Sequence, residues 1–341
     1  MRHSLAALLL AGFTLGPSVA TAVRHGDLLI TDFANNRVLE VDPSTGVVTT
    51  FSPVGVEANL LTLPLGIAAD PDGGVYVSIE ADPDAPNLVA IDARGNQSFV
   101  GGGTVSNPWV SIEGAFGLAM SPVAASAGAR RDLFVAGKGA LWSVQQTTEA
   151  HSTPLSPYGA PHQDASGQYV SVRDPGSGSP DAQVGFTDAI LPYDGDLFAF
   201  GAPWIPASGS YINSFAYSQE AGLFVLSLFS DSSGIYSLGD LNPATAVLPV
   251  AVGGDVGAPS TLTVALPGEG DPAPYPVFVV DSSATVNVVR VDSDGSTTPV
   301  ATLQGNTDCY CGMTLYAPEP ASALLAATAL AALVWVRASR I

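Results

Sequence analysis

An all-β body is what this chain predicts between residues 23 and 317, and three observations predict it. Short runs rich in Val, Leu, Thr and Tyr are punctuated by turn residues, with 36 glycines and 27 prolines among 341 residues. That proportion lies below low complexity and suits many short strands joined by tight turns. No long apolar stripe of helical period appears in the span, which argues against packed helices. A strand–turn–strand unit also recurs along it.

The clearest copy of the unit begins at Gly66-Ile67-Ala68-Ala69, turns at Asp70-Pro71-Asp72-Gly73 and continues through Gly74-Val75-Tyr76-Val77-Ser78. The turn residues have a mechanism: Asp bonds its own backbone, Pro presets φ, and Gly takes a positive φ. A third strand is expected at Asn87 to Ile91 and a fourth near Gln97 to Val100. Four strands in so short a span are the size of a propeller blade.

Further copies follow in order. Gly117 to Met120 precedes Asp132 to Val135 and Ala140 to Ser143; Ser214 to Tyr217 precedes Gly222 to Val225 and Gly234 to Ser237. Thr261 to Val264 precedes Val277 to Val280 and Val286 to Val291. A degenerate copy is expected from Gly185 through Asp196 to Phe200, and Ser156 to Pro180, rich in Gly, Ser and Asp, reads as an exposed loop. Second strands centred near Leu28, Tyr76, Phe134, Leu197, Phe224 and Phe278 predict a six-bladed β-propeller.

The ends of the body predict how the ring closes. Asp27-Leu28-Leu29-Ile30 has the pattern of a second strand, followed by a third at Asn36 to Val41 and a fourth at Val47 to Phe51. The first strand of that blade is missing, and Gly312 to Ala317 has its pattern. A C-terminal strand there would remove an open sheet edge.

Both termini read as addresses. Arg2 and His3, an apolar run from Leu5 to Leu15 and Ala20-Thr21-Ala22 form a signal peptide over residues 1–22, cut after Ala22. At the other end, Pro318-Glu319-Pro320 precedes an apolar, Ala-rich run over 321–336 and a basic end with Arg337 and Arg340. Such a run spans about 24 Å as a helix, short of the roughly 30 Å hydrocarbon core. The arginines would stay cytoplasmic and leave the body outside. Residues 318–341 resemble the C-terminal sorting signal of PEP-CTERM proteins. That resemblance implies an exosortase-type processing enzyme as partner, a transient membrane-held intermediate, and a final place at the cell surface or outside the cell.

Charge narrows the partners. The chain carries a net charge of −20, and processing removes Arg2, Arg337 and Arg340 but only Glu319 among the acids. That field disfavours nucleic acid and anionic lipid.

Chemical motifs are sparse. Asp70 to Gly73 and Asp292-Ser293-Asp294-Gly295 lack the third carboxylate and closing Glu of a calcium loop, and both fall where a hairpin turn is needed. His25, His151 and His162 form no zinc spacing; His162 with Asp164 reads equally as a polar loop or a dyad. Cys309 and Cys311 are the only cysteines. Export into an oxidising setting allows a local disulfide between them, and two free thiols is the alternative.

Thr31-Asp32-Phe33-Ala34-Asn35-Asn36-Arg37-Val38, with Asp42-Pro43-Ser44-Thr45-Gly46, resembles an NHL-type repeat, and Leu63 to Ala68 resembles the start of another. Two function classes stay open. One is a non-catalytic exported propeller, without a cofactor, that binds an exopolysaccharide or surface protein. The other resembles the gluconolactonase and lyase propellers, whose chemistry would need a divalent cation such as Ca²⁺. Its candidate ligands are Asp32, Glu80, Glu113 and Asp281, all near strand ends.

Overall fold

The computed structural model describes residues 24, 26–52, 59–70, 74–81, 85–100, 276–282, 285–292, 294–304 and 310–316. Between 115 and 264 it describes the strands given below, with Ala115 and Val256. Every described element is a β-strand. The first sheet holds Leu28–Asp32 (β1), Arg37–Val41 (β2) and Val48–Ser52 (β3). The second holds Pro64–Ala69 (β4), Val75–Ile79 (β5), Leu88–Ile91 (β6) and Gln97–Phe99 (β7); the third holds Gly117–Met120 (β8), Leu133–Gly137 (β9), Ala140–Val144 (β10) and Ser152–Ser156 (β11). The fourth comprises Ala160–Pro161 (β12), Tyr169–Val172 (β13), Ala189–Asp194 (β14) and Ala199–Phe200 (β15). Tyr211–Ser218 (β16), Gly222–Leu228 (β17), Gly234–Gly239 (β18) and Val250–Val252 (β19) make the fifth. Pro259–Val264 (β20), Val277–Asp281 (β21), Asn287–Val291 (β22) and Thr297–Thr302 (β23) make the sixth. Tyr310–Leu315 (β24) then returns to pair antiparallel with β1, Leu28 opposite Leu315 and Ile30 opposite Met313.

Each sheet is therefore a four-stranded antiparallel meander. First strands of neighbouring sheets adjoin one another in the series β16, β20, β24, β4, β8, β12. The core lies between sheets rather than under one of them. Leu28 and Ile30 of β1 pack with Phe278, Val280 and Val288 of the sixth sheet, while Leu29 packs with Ile67, Val75 and Val77 of the second. Successive side chains of a strand point to opposite faces, so β1 buries both of its faces. That is why its sequence is a continuous apolar run instead of an alternation.

In the first, second and sixth sheets the hairpin joining third to fourth strand turns at an aspartate. The Asp42 carboxylate accepts from the Ser44 hydroxyl (2.6 Å) and the Ser44 amide (2.8 Å), and these bonds, with those from Thr45, hold its carboxyl down to about 2. Asp92 accepts from the amides of Arg94 and Asn96. In the sixth sheet Asp292 is held by Arg290, and Asp294 accepts from the Ser296 amide. A glycine with positive φ completes each: Gly46 (72°), Gly95 (82°) and Gly295 (83°). The Asp292 to Gly295 stretch is thus a hairpin turn, as its position in the repeat implies. These turns also reach across sheets. The Ser52 hydroxyl of β3 donates to the Gly95 carbonyl, and a Cβ at Gly46 would meet the Val300 carbonyl of β23 at 2.5 Å.

The fourth sheet corrects the sequence reading twice. Its second strand is Tyr169–Val172, not the segment around Leu197, and Ala199–Phe200 is its last strand. The stretch 156–180, read as a loop, contains both β12 and β13. A four-residue strand is hidden when composition is averaged over a window crowded with Gly, Ser and Asp. Pairing with Ala189–Asp194, which supplies the missing hydrogen bonds, is what makes Tyr169–Val172 a strand.

Residues 1–22 and 318–341, with Ala20, Ala22, Pro318, Glu319, Pro320, Arg337 and Arg340, lie outside the described residues, as do Glu113, Cys309 and the three body histidines. Among the described residues no helix is long and apolar enough to cross a membrane.

Candidate functional site

The ladder between first and second strands slips at one recurring place, near the end of the second strand. In the first sheet Thr31 faces two residues of β24, Cys311 and Gly312; in the second, Ser78 faces Leu65 and Gly66. The fifth and sixth sheets slip at Asn213 and Ser260. Bulges of this kind re-aim side chains at barrel rims and beside binding sites. Here the freed backbone groups are satisfied by hydroxyls. The Gly312 amide donates to Thr31 Oγ1 (2.8 Å), the Gly66 amide donates to Ser78 Oγ (2.9 Å), and Ser260 Oγ donates to the Val280 carbonyl (3.3 Å).

One residue beyond the slip stand Asp32 in the first sheet and Asp281 in the sixth. Asp32 ends β1 and is 1% exposed. Its oxygens accept from the Asn35 amide (3.2 Å), from Asn35 Nδ2 (2.9 Å to each oxygen) and from Arg37 Nε (2.7 Å). The Asp32, Asn35 and Arg37 spacing is thus a closed turn: the carboxylate caps the chain reversal, and Arg37 neutralises a charge that burial would otherwise penalise. Arg37 also donates to the Gln304 carbonyl that follows β23.

The same turn places Asn36 in the left-handed region (φ 53°), a conformation that Asn tolerates. Its side-chain oxygen accepts the Leu63 amide at 2.7 Å, and Leu63 is itself left-handed at 46°. A leucine there stores strain of about 1 kcal/mol or more. Asn36 and the Glu80 amide, which donates to the Leu63 carbonyl, hold that backbone in place.

The other candidates fall as follows. Glu80 follows β5 and has an exposed side chain, whereas Asp281 ends β21 and is buried. Asp32 and Asp281 occupy equivalent ends of second strands. Among the described residues no group of three or more His, Cys, Asp or Glu is placed to hold a metal ion. Cys311 stands in the bulge and is disulfide-bonded.

Sequence reading missed two features. Tyr310 is 1% exposed, and its hydroxyl has no hydrogen-bond partner; nor has Ser282 Oγ, next to Asp281. Burial first, then the Asp32 carboxylate, pushes the Tyr310 phenol up, with Arg37 opposing, so it remains a donor. Buried hydroxyls without partners are rare in folded proteins. The second feature is a carboxyl pair, Asp27 and Glu40, buried at the opposite end of β1. Its signal was present: Glu40 shares a strand face with the buried Val38, an apolar position by period.

No protein-family model and no curated protein matches the chain. A protein of unknown function from Bacteroides caccae is similar in structure, with 12% identity, a TM-score of 0.51, and coverage of 85% of this chain and 98% of that one. A gluconolactonase from Xanthomonas campestris shares 17% identity at a TM-score of 0.35, covering 82% of this chain and 73% of its own. A streptogramin B lyase shares 12% at 0.36, covering 82% and 89%. At these identities and scores the two enzymes say nothing about this chain's chemistry, and the likeness to the Bacteroides protein is one of fold alone.

Proposed function

We propose that this chain is an exported protein, sorted and processed through its Pro318-Glu319-Pro320 tail, whose six sheets are the blades of a propeller closed by β24 and serving as a binding module. An exosortase-type enzyme would act on the tail while residues 321–336 hold the protein in the inner membrane. The propeller would then engage an exopolysaccharide or another surface protein at the cell surface. The observation that carries the non-catalytic part is the engagement of Asp32. Both of its oxygens are taken by Asn35 and Arg37 within its own turn, so the candidate ligand best placed by burial is already spent on structure.

A metal-dependent hydrolase or lyase is the second reading. It is favoured by the equivalent placing of Asp32 and Asp281 and by the partnerless hydroxyls of Tyr310 and Ser282. The test is an assay of lactone and ester hydrolysis with Ca²⁺, Zn²⁺ or Mn²⁺ added, beside a binding titration against exopolysaccharide of the native host. Saturable binding without turnover is expected. Metal-dependent turnover abolished by Asp281→Asn or Glu113→Gln would overturn the binding reading. Intact mass of the protein from its host should lack Met1 and Ile341, and a full-length mass would end the sorting proposal.

A further inference from the structure

The last rung of the β1–β24 seam carries two buried acids. Glu40 of β2 lies opposite Leu29 of β1 and Thr49 of β3, and is 9% exposed; Asp27, just before β1, is 4% exposed. Alternation along the strands puts Asp27, Leu29 and the Glu40 opposite Leu29 on one face, where a hydrogen bond between the two carboxyls requires a proton on one of them. Two adjoining carboxylates cannot both stay charged out of water without a strong penalty. Among the described residues the groups around them are few. The Arg24 amide donates to Asp27 Oδ2 (2.7 Å), the Arg24 charge lies within reach of Glu40, and Thr49 Oγ1 donates to Glu40 Oε2 (3.1 Å). From β24 the neighbour across Leu29 is Thr314, which does not titrate, and the Tyr316 phenol is influenced by Asp70 of the second sheet.

The backbone of the same residue closes the seam. The Tyr316 amide donates to the Asp27 carbonyl (2.8 Å), and the Gly26 amide donates to the Tyr316 carbonyl (2.8 Å). Beyond these two bonds lie residue 317 onward on one side and the residues before Arg24 on the other. We propose that the Asp27–Glu40 pair is a proton-operated latch on this seam, holding the two chain ends together while one proton is shared and loosening them when it is lost.

Burial first, and then the hydrogen bond to Asp27, push the Glu40 carboxyl up to about 7 against the pull of Thr49. A carboxyl raised on folding stabilises the fold below its ordinary pKa, and that stabilisation is lost as pH rises through the folded value. The latch is therefore shut in mild acid and released above neutrality. The inference stands on the seam geometry and does not depend on what the propeller binds.

The experiment uses the full chain. Thermal melting of wild type and Glu40→Gln is followed from about pH 5 to about pH 9, because the linkage acts across that window. Wild type should lose on the order of 5 °C more than the variant, whose neutral amide keeps the contact. In parallel, hydrogen exchange of the Gly26 and Tyr316 amides in wild type, corrected for intrinsic rate and referred to the Val288 amide, should accelerate at least about tenfold over the same range. Parallel melting curves for the two proteins overturn the proposal. So does unchanged protection at Gly26 and Tyr316, a result that decides the matter even where the variant does not fold.

Discussion

Thr31 Oγ1 accepts a hydrogen bond from the amide of Gly312 at 2.8 Å, 281 positions away in the chain, and donates one to the Leu65 carbonyl at 2.8 Å. One hydroxyl, fully buried, thereby ties β1, β24 and β4 together across two sheets. The contact repeats in the next sheet, where Ser78 takes the Gly66 amide. In these two sheets a small hydroxyl residue opposite a two-residue bulge is the joint between first and second strands.

Thr31→Val keeps the shape and removes the hydroxyl, leaving the Gly312 amide and the Leu65 carbonyl buried without it. Urea denaturation should show a loss of about 1–3 kcal/mol. Thr31→Ser, which keeps the acceptor and donor, should retain most of that stability. Equal losses for the two variants would mean that the methyl packing, not the hydroxyl, holds the joint.

Glycine substitutions separate close approach from backbone conformation. A Cβ at Gly312 would lie 2.6 Å from the Leu65 carbonyl, and one at Gly46 would lie 2.5 Å from that of Val300 with φ at 72°. Gly26, at φ 96°, has nothing within 4 Å. Gly46→Ala and Gly312→Ala should each cost about 2 kcal/mol or more, while Gly26→Ala costs about 1 kcal/mol. A ranking with Gly26→Ala worst would contradict the inter-sheet approach.

Ending the chain before Cys309 removes β24. That strand buries Tyr310, Met313 and Leu315 against the first and sixth sheets and satisfies the edge of β1. Removal should lower stability by several kcal/mol, read as a marked fall in melting temperature. An unchanged melting temperature would exclude β24 as the strand that closes the body.

How much was legible depended on how local the signal was. The strands around Leu28, Tyr76 and Phe278 could be read because the turns at Asp42, Asp70 and Asp292 close through main-chain hydrogen bonds only a few residues apart. Tyr169–Val172 could not, since four residues without a turn signal carry too little pattern. Asp32 was read as a candidate ligand near a strand end; its carboxylate is bonded by Asn35 and Arg37 of its own turn, contacts that local spacing brings together. Tyr310 drew no attention because nothing in a sequence says that a phenol will be buried without a partner.

By itself the sequence determined the β character of the body, the turn at Asp42 to Gly46 and its counterparts, and the spare strand near residue 312. Each of these follows from side chains acting on neighbouring backbone, where the outcome hardly depends on the rest of the molecule. Only the tertiary structure decided that Gly312 meets Thr31, that Gly46 rests on Val300, and that Asp27 and Glu40 are both buried. Those contacts join segments that a linear pattern leaves independent. Packing of one sheet on the next selects them, because buried hydrogen-bonding groups and charges must find partners wherever the fold brings them together.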